Sequence, residues 1–306
     1  MLLVGNYCSL HQTLFSPVIS LHCWQIMNSY RYIRQYTGAV KAVILDWSGT
    51  TIDRYVMAPA VAFVDVFQKH GVSVSMSEAR VPMGLRKDAH IKALTENVDV
   101  RQRWKEVHGR FPDHSDVEKM YHDFVPLQLS VLSKYSKLLP GTAETMQKLR
   151  KDFNIKIGST TGYVRSMVDI VLADVAKQGF RPDVTVAGDE VINGCRPKPF
   201  MIYRNMDLLD IHPIQSVIKV DDTASGIAEA LEAGCWGIGV SKYSNYMNIN
   251  SLEQEVELTE EALEQRLEHS RIILRNSGAH YVIDSVADLP KVVDDINRRL
   301  SQGEKP

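Results

Sequence analysis

The amino-acid sequence predicts an α/β fold, in which a doubly wound, Rossmann-like parallel sheet carries an inserted helical cap. The first observation is that short apolar runs alternate with amphipathic stretches from Lys41 onward, as they do in consecutive β-α units. The second is that several of these runs end in polar loops rich in Asp, Ser and Thr. The third is a long insertion after the first run, which lacks strand alternation and has helical spacing.

Six apolar runs predict the strands of the sheet. They lie at residues 42–45, 155–158, 184–187, 217–220, 236–240 and 281–283. Polar loops follow four of them, at residues 46–48, 159–163, 221–223 and 241–243. Ligands of open α/β sheets bind outside the carboxyl ends of the strands, at the switch in strand order. We therefore expect the functional residues in these loops.

The insertion sets the predicted domain boundaries. Residues 55–137 form the predicted helical cap, and residues 39–54 and 138–306 form the core. Helices of the cap are expected after Pro59, after Pro82, and at residues 100–107 and 115–132. The Leu139-Pro140-Gly141 turn returns the chain to the core. Core helices are expected at residues 142–151, 259–276 and 289–300.

Composition limits the class of partner. The chain has 306 residues, 44% of them hydrophobic and 24% charged, and its formal net charge is −2. Such a chain has no global field to attract nucleic acid or an anionic membrane, so phosphate must be bound locally. Four cysteines without a C-x-x-C pair predict a reducing, cytoplasmic location. No apolar stretch approaches the roughly 20 residues that span a bilayer. Because neither nucleic acid nor a membrane is favoured as a partner, we expect a small-molecule partner.

Residues 1–38 differ from the rest of the chain, because no Asp or Glu occurs before Asp46. Some targeting peptides are acid-poor, but Arg31 and Arg34 come late and the first residues lack the basic side chains of a signal peptide. We predict a disordered N-terminal extension with a more natural start at Met27. Organellar targeting by this extension stays open as the alternative.

Asp46, directly after the first predicted strand, is the candidate nucleophile for a phosphorus centre. Its attack on a dianion requires a divalent cation and further positive or donor groups. Asp222, after the fourth strand, can bind Mg²⁺ together with Asp46, because hard oxygen ligands suit that ion. Arg196 can neutralise phosphoryl oxygens, and Thr160 and Thr161 can donate hydrogen bonds to them.

Each of these groups alone has an ordinary structural explanation. An Asp-x-Ser-Gly-Thr run can be a plain strand-to-turn signal, and paired acids at a strand end can cap a helix. An Arg-Pro-Lys-Pro segment is often only a stiff loop. Here all of them fall at predicted strand ends in a fixed order, which favours one shared function.

Lys87 is the candidate for covalent chemistry with an aldehyde, because its amine can form an imine. Met83, Lys87 and His90 are spaced i, i+4 and i+7 and are predicted to share one face of a helix. His90 could accept or relay a proton during attack. A single Lys is more often a solvated surface residue, and a single His or Met is more often part of the packing. Burial beneath a closed cap would lower the pKa of Lys87 and supply free amine.

With these motifs the chain resembles the haloacid dehalogenase superfamily, whose motifs are Asp-x-x-x-Thr, Ser or Thr, Lys or Arg, and an acidic pair. Within it, the chain is similar to the phosphonatase family. The similarity rests on Asp-Trp-Ser-Gly-Thr-Thr at 46–51, Met-Gly-x-x-Lys-x-x-His at 83–90 and Ile-Gly-Ser-Thr-Thr-Gly-Tyr at 157–163. It extends from about Lys41 to the C-terminus, and the motif at 83–90 is its most specific part.

The resemblance implies a homodimeric, Mg²⁺-dependent hydrolase that cleaves the carbon–phosphorus bond of phosphonoacetaldehyde in phosphonate degradation. The implied catalytic residues are Asp46 as nucleophile, Lys87 as Schiff base, His90, Met83, Arg196 and Thr161. The implied substrate-binding residues are Ser48, Gly49, Thr160, Thr161, Gly162, Tyr163 and Arg196. The implied metal ligands are Asp46, Asp222 and the backbone carbonyl of Ser48, with Asp221 as a supporting carboxylate.

Ser48 departs from the superfamily phosphatases, which usually carry at that position a second Asp that protonates an alkoxide leaving group. A serine cannot do so at neutral pH. A carbon–phosphorus bond breaks to a carbanion instead, and a Lys87 imine is an electron sink for it.

A second departure concerns the metal site. The family often has Gly-Asp followed four residues later by another Asp, whereas this chain has Asp221-Asp222 and Gly226. Either Asp221 replaces the outer carboxylate or the metal binds more weakly.

Two other functions stay open at this point. One is a Mg²⁺-dependent phosphatase or sugar-phosphate mutase of the same superfamily, which needs only the Asp46 chemistry. The other is a non-catalytic binding or scaffold protein with an inherited fold, although a cluster of charged strand-end residues is costly to keep without a ligand.

Overall fold

A computed structural model describes residues 35–306 of the chain. The predictions for residues 1–34, including the disordered extension, the natural start and the targeting alternative, lie outside the described residues. Residues 35–41 lead into the first strand without regular secondary structure.

In the described part of the chain, six parallel strands form a single sheet. They are β1 (Ala42–Leu45), β2 (Lys156–Thr160), β3 (Val184–Val186), β4 (Val217–Asp221), β5 (Trp236–Val240) and β6 (Tyr281–Ile283). The spatial order is β3-β2-β1-β4-β5-β6, so the chain order reverses between β1 and β4. This order is that of a doubly wound Rossmann-like sheet, and the predicted fold class is confirmed. The switch point places the ends of β1 and β4 side by side.

Twelve α-helices accompany the sheet in residues 35–306. They are α1 (Met57–Lys69), α2 (Met76–Arg80), α3 (Lys87–Glu96), α4 (Val98–His108), α5 (His114–Tyr135), α6 (Thr142–Phe153), α7 (Arg165–Ala176), α8 (Phe200–Leu209), α9 (Ala224–Ala233), α10 (Leu252–Glu257), α11 (Glu260–Asn276) and α12 (Leu289–Ser301). Among the described residues, none of the helices has the length and hydropathy to cross a membrane.

Helices cover both faces of the sheet, which explains why its strands are nearly continuous apolar runs. Val43 and Leu45 of β1 belong to an apolar cluster that includes residues of α6, α7 and α12. Ala42 and Ile44, which point to the opposite face, belong to a second cluster with residues of α8 and α9. The core is therefore layered helix–sheet–helix.

The insertion between β1 and β2 contains helices α1 to α5. Two of its helices begin at capping boxes, in which side chains satisfy free backbone amides: Ser75 and Glu78 form one at α2, and Asp113 and Asp116 form one at α5. The α1, α3 and α5 helices bury a common apolar core that includes Phe63. We propose that this insertion, residues 55–137, is a cap domain distinct from the core.

The loop between α2 and α3 lies directly on the core. A Cβ atom at Gly84, whose φ is +94°, would lie 2.1 Å from Ser225 Oγ. A Cβ atom at Gly162, at the end of β2, would lie 2.7 Å from the backbone oxygen of Leu85. Only glycine permits both approaches, since real Cβ atoms do not come so close to other heavy atoms. The two glycines therefore allow the cap loop to close over the ends of the strands.

The link from β1 into the insertion is strained. Asp53, Tyr55 and Val56 have φ angles of 54°, 64° and 55°, in the left-handed region. For a β-branched residue such as Val56 this conformation is a true outlier. Arg80 helps to hold it, because its Nη1 donates to the backbone oxygen of Tyr55 at 2.6 Å.

Two local predictions were wrong. Met83 does not lie on the helix of Lys87, because α3 begins at Lys87 and Gly84 has a left-handed φ that no continuing helix can adopt. Thr160 lies in strand β2 rather than in the loop after it, because pairing with β3 continues through Thr160.

Candidate active site

A small cavity lies at the carboxyl ends of β1, β2 and β4, beneath the loop between α2 and α3. Eight of the residues selected from the sequence line it: Asp46, Ser48, Met83, Lys87, Thr161, Gly162, Tyr163 and Asp222. Its volume is about 20 Å³, little more than one water molecule needs. The structure thus brings the strand-end residues and the cap residues to one place.

Asp46 follows β1 and is almost fully buried. Its Oδ1 accepts a hydrogen bond from Arg196 Nη2 at 2.7 Å. Burial raises the pKa of Asp46, and the positive charge of Arg196 opposes that rise. The carboxylate is therefore held in a fixed direction by a charged donor, as a nucleophile must be.

Arg196 is fully enclosed and joins three carboxylates. Its Nη2 lies 3.1 Å from Asp221 Oδ2, and its Nε lies 3.1 Å from Glu229 Oε2, in addition to the contact with Asp46. Nη2 also donates to the backbone oxygen and the hydroxyl of Thr160. Arg196 and Thr160 thus lie behind the cavity wall, and the Thr160 hydroxyl is occupied within this network.

Lys219 is a second buried cation that the sequence-based site did not include. Its Nζ lies 2.9 Å from Asp221 Oδ2 and donates to Thr160 Oγ1 at 2.8 Å. Its partner Glu229, at 3.8 Å, was also missed. A lysine within the apolar run of β4 was the available signal, because a charge in a buried parallel strand requires a partner.

The buried charges do not balance without a cation. Asp46, Asp221, Asp222 and Glu229 are four carboxylates, and they face only two basic side chains of the same cluster, Arg196 and Lys219. If all six groups were ionised, two negative charges would be left over, and burial together with the charges of Asp221 and Asp46 accordingly raises the pKa of Asp222 well above its usual value. A divalent cation would compensate them, since buried like charges repel strongly.

The residues present also fit a hard metal ion by their free atoms. Carboxylate oxygens of Asp46, Asp221 and Asp222 lie within 4.8 Å of one another. Asp222 Oδ1 is buried and has no hydrogen-bond partner among residues 35–306, while its Oδ2 accepts from the Asn245 amide at 2.8 Å. A buried carboxylate oxygen without a donor is suited to bind Mg²⁺.

Lys87, the first residue of α3, is only 3% exposed. Its Nζ lies 5.0 Å from the ring centre of Tyr163 and 5.6 Å from that of Phe63. Within residues 35–306 it makes no hydrogen bond or ion pair. Burial lowers the pKa of Lys87 to about 8, against the attraction of Asp46. The unprotonated share of the amine near neutral pH is therefore much larger than that of an ordinary lysine.

Ser48 and Tyr163 share a buried hydrogen bond of 2.6 Å between their hydroxyl oxygens. Burial raises the pKa of Tyr163 well above its usual range, so the phenol stays protonated. Asp53, which the sequence analysis did not select, accepts hydrogen bonds from the amides of Met57 and Ala58 at the start of α1. Burial nevertheless raises the pKa of Asp53 to about 7.

His90 lies beside the cavity rather than in its wall. Its ring stacks on Phe63 with 3.6 Å between centres, and its Nε2 lies 2.8 Å from the backbone oxygen of Ala79. That contact makes Nε2 the protonated nitrogen. Burial, followed by the nearby charge of Lys87, lowers the pKa of His90 well below its usual value. The ring is neutral, and its proposed relay role stays a prediction.

Gly49 and Thr161 complete the predicted set. Gly49 has a φ of +78°, and a Cβ atom there would lie 2.4 Å from Asp222 Oδ2. Its role in the structure is to leave room for that carboxylate. Thr161 lines the cavity, and its hydroxyl accepts a hydrogen bond from the Tyr163 amide at 3.1 Å.

Fold and site together define the class of this protein. Residues 40–234 match the family model described as haloacid dehalogenase-like hydrolase. The chain therefore belongs to the haloacid dehalogenase-like hydrolases.

Individual relatives narrow the family further. The chain is 41% identical over 273 residues to a phosphonoacetaldehyde hydrolase of Syntrophobacter fumaroxidans, covering 89% of this chain and 98% of the relative. It is 42% identical over 268 residues to one of Paraburkholderia phytofirmans, covering 87% and 99%. A crystal structure of a phosphonoacetaldehyde hydrolase-like protein from Oleispira antarctica matches with a TM-score of 0.85 and 39% identity, covering 89% and 98%. The chain belongs to the phosphonoacetaldehyde hydrolase family.

Burial of Lys87 should make the stability of the protein depend on pH. Because its pKa falls from 10.5 to about 8 on folding, the unfolded chain holds this proton more tightly. Folding is therefore opposed by about 3 kcal/mol below pH 8, and this cost fades as the pH rises toward 10.5. In urea denaturation, Lys87→Met should raise the free energy of unfolding at pH 7 and raise it much less at pH 10.

Lys92→Met is the matched control for this experiment, because Lys92 lies on the same helix with its side chain 66% exposed. An equal gain for Lys87→Met at both pH values would contradict the burial of a charged amine.

Proposed function

We propose that this protein hydrolyses phosphonoacetaldehyde to acetaldehyde and phosphate, through an imine on Lys87 and a phosphoryl group carried by Asp46. The observation that carries the proposal is that a buried, unpaired amine and a buried carboxylate line the same cavity. An amine that is not protonated attacks a carbonyl carbon, and a carboxylate attacks phosphorus. The names of the relatives support the same substrate.

The first step is condensation at the aldehyde end. Lys87 Nζ attacks the carbonyl carbon, the carbonyl oxygen leaves as water, and a protonated imine remains. The low pKa of Lys87 supplies the unprotonated amine that this step needs. The aromatic rings of Tyr163 and Phe63 border Nζ and can stabilise the positive charge of the imine by cation–π attraction.

The second step breaks the carbon–phosphorus bond. Asp46 attacks phosphorus, and the electron pair of the broken bond moves into the imine to give an enamine on Lys87. The enamine carbon takes up a proton, and water hydrolyses the resulting imine to acetaldehyde and free Lys87. A second water molecule hydrolyses the aspartyl phosphate of Asp46. Arg196 holds Asp46 in position throughout.

A serine at position 48 is consistent with cleavage of a carbon–phosphorus bond through the Lys87 imine and not with ester hydrolysis. Its hydroxyl is hydrogen-bonded to Tyr163, and a serine hydroxyl is too weak an acid to protonate an alkoxide. The electron sink on Lys87 removes the need for an acid at this position. A phosphatase or sugar-phosphate mutase would not use the costly burial of Lys87.

The proposed metal ion is Mg²⁺, held by Asp46, Asp222 and the backbone carbonyl of Ser48. When bound, it would neutralise charge on the phosphonate and on the carboxylates. The free Oδ1 of Asp222 and the surplus negative charge support it. Asp221 would support the site through the contacts of its carboxylate with Thr223, Lys219 and Arg196.

Substrate entry should require the cap to move. The cavity has room for little more than a water molecule, and the cap loop at Gly84 and Leu85 packs against the core. Closure after binding would then exclude bulk water from the imine and the enamine.

A homodimer and a cytoplasmic location stay predictions. The two cysteines in the described part of the chain, Cys195 and Cys235, are free and buried, which supports a reducing compartment.

Borohydride trapping tests the imine. Sodium borohydride added during turnover of phosphonoacetaldehyde should reduce the imine and inactivate the protein, leaving a two-carbon adduct on Lys87 that peptide mass spectrometry locates. Lys87→Arg, which keeps the charge but cannot form the imine, should lose carbon–phosphorus cleavage and take up no adduct. Full turnover by wild type without any adduct would refute the imine, and a Lys87→Arg variant with full activity on phosphate esters would favour a phosphatase.

Asp222→Asn tests the metal site by binding and stability. Calorimetric titration should show Mg²⁺ affinity reduced by at least the roughly 10- to 100-fold that loss of an outer partner causes. The metal-free variant should also melt at a higher temperature than metal-free wild type, because one of the repelling carboxylates is gone. Asp169→Asn, at a side chain 62% exposed, serves as the control. Unchanged Mg²⁺ affinity in Asp222→Asn would exclude this carboxylate as a ligand.

A further inference from the structure

Gly226, in the first turn of α9, lies directly against the carboxylate of Asp221. A Cβ atom added at Gly226 would lie 1.9 Å from Asp221 Cγ and 2.1 and 2.2 Å from its two oxygens. The backbone of Gly226 is ordinary helix, so the exclusion of a side chain there is steric and not conformational. Position 226 and the side chain of position 221 therefore compete for one space.

The carboxylate that fills this space is fixed on both of its oxygens. Oδ1 accepts hydrogen bonds from the Thr223 amide at 3.0 Å and the Thr223 hydroxyl at 2.7 Å. Oδ2 lies 2.9 Å from Lys219 Nζ and 3.1 Å from Arg196 Nη2. Asp221 is therefore a held charge, with Oδ1 hydrogen-bonded to Thr223 and Oδ2 in ion-pair contact with Lys219 and Arg196.

The contact with Arg196 connects Asp221 to the nucleophile. The same Nη2 atom that meets Asp221 donates to Asp46 Oδ1 at 2.7 Å. Charge-assisted contacts of this kind fix the direction of a guanidinium group. Loss of Asp221 would remove one of the charged contacts that fix the direction of Nη2, leaving those with Asp46 and Thr160, and would remove one negative charge from beside Asp222.

We propose that Asp221 and Gly226 act as one unit, in which Asp221 is a positioning residue that aims Arg196 at Asp46 and strengthens cation binding by Asp46 and Asp222. The glycine at 226 is what makes room for it. A carboxylate placed at 226 could occupy the same space if position 221 had no side chain. This inference rests on the proposed function, because it concerns the metal and the nucleophile of that site.

Glu229 offers an internal comparison. It also pairs with Arg196, but through Nε at 3.1 Å and not through the Nη2 atom that meets Asp46. It does not belong to the group of three carboxylates whose oxygens lie within 4.8 Å of one another. Removing its charge should therefore disturb Arg196 without removing negative charge from the metal position.

The experiment compares Asp221→Asn with Glu229→Gln by calorimetric titration with Mg²⁺, which needs no substrate. Asp221→Asn should lose roughly 10- to 100-fold in Mg²⁺ affinity, as expected for a partner next to the metal ligands. Glu229→Gln should change that affinity by less than about threefold. With phosphonoacetaldehyde at saturating Mg²⁺, Asp221→Asn should lower kcat more than it changes KM, because Arg196 is misaimed. Wild-type Mg²⁺ affinity in Asp221→Asn would overturn the proposal.

An exchange of the two residues tests the shared space. Asp221→Gly should weaken Mg²⁺ binding, and Gly226→Asp alone should lower the melting temperature because two side chains collide. The double variant should regain most of the affinity lost in Asp221→Gly, and its melting temperature should exceed that of Gly226→Asp. A folded double variant, verified by circular dichroism, that binds Mg²⁺ no better than Asp221→Gly would contradict the shared space. If the proposed function is wrong instead, phosphonoacetaldehyde is not cleaved by wild type, whatever the Mg²⁺ titrations give.

Discussion

Burial of charge at the end of the sheet is the constraint from which the other features of the site follow. An ionised group that leaves water must be paired, hydrogen-bonded or shifted toward its neutral form. Asp46, Asp221 and Glu229 meet this condition through Arg196 and Lys219, and Asp222 is left with a free oxygen that a cation would occupy. Lys87 meets the condition in the other way, by a lowered pKa. The burial of charge thus accounts both for the fixed carboxylate of Asp46 and for the lowered pKa of the Lys87 amine.

The fold creates this constraint because of its strand order. β1 and β4 are neighbours at the switch point, so Asp46 and Asp222 reach the same end of the sheet although they are far apart in sequence. The insertion after β1 then brings Lys87 over that end, and the glycines at 84 and 162 let the loop approach without clashes. The core alone would supply only the carboxylates of the proposed reaction, and the insertion alone would supply only the amine.

Most of the fold was predictable from local sequence, and the site was predictable where motifs were local. Strands of a buried parallel sheet are continuous apolar runs, and the predicted boundaries of β1, β5 and β6 are those observed. Short sequence motifs contain four of the site residues, and for this reason the sequence analysis identified them: Asp46, Lys87, Thr161 and Asp222. Met83 was misplaced on a helix because its spacing suited one, whereas the left-handed backbone of Gly84 ends the regular structure there.

The residues that sequence reasoning missed are those whose role depends on distant partners. The role of Lys219 depends on its contacts with Asp221 and Glu229. The role of Asp53 depends on its hydrogen bonds with the amides at the start of α1. We expected Arg196 to contact the substrate. In the structure it lies behind the cavity wall and orients Asp46. Such pairings are set by the three-dimensional packing of β4, α9 and the linker after β1, and no single segment of sequence encodes them.

The most direct test of the account is the identity of the adduct on Lys87 when Asp46 cannot attack. In Asp46→Asn, phosphonoacetaldehyde should still condense with the amine, but the carbon–phosphorus bond should stay intact. Borohydride reduction followed by mass spectrometry should then find a phosphonoethyl group on Lys87 in this variant and an ethyl group in wild type. An ethyl group on Lys87 in Asp46→Asn, or no adduct in either protein during turnover, would contradict the claim that the two residues bond to opposite ends of one substrate.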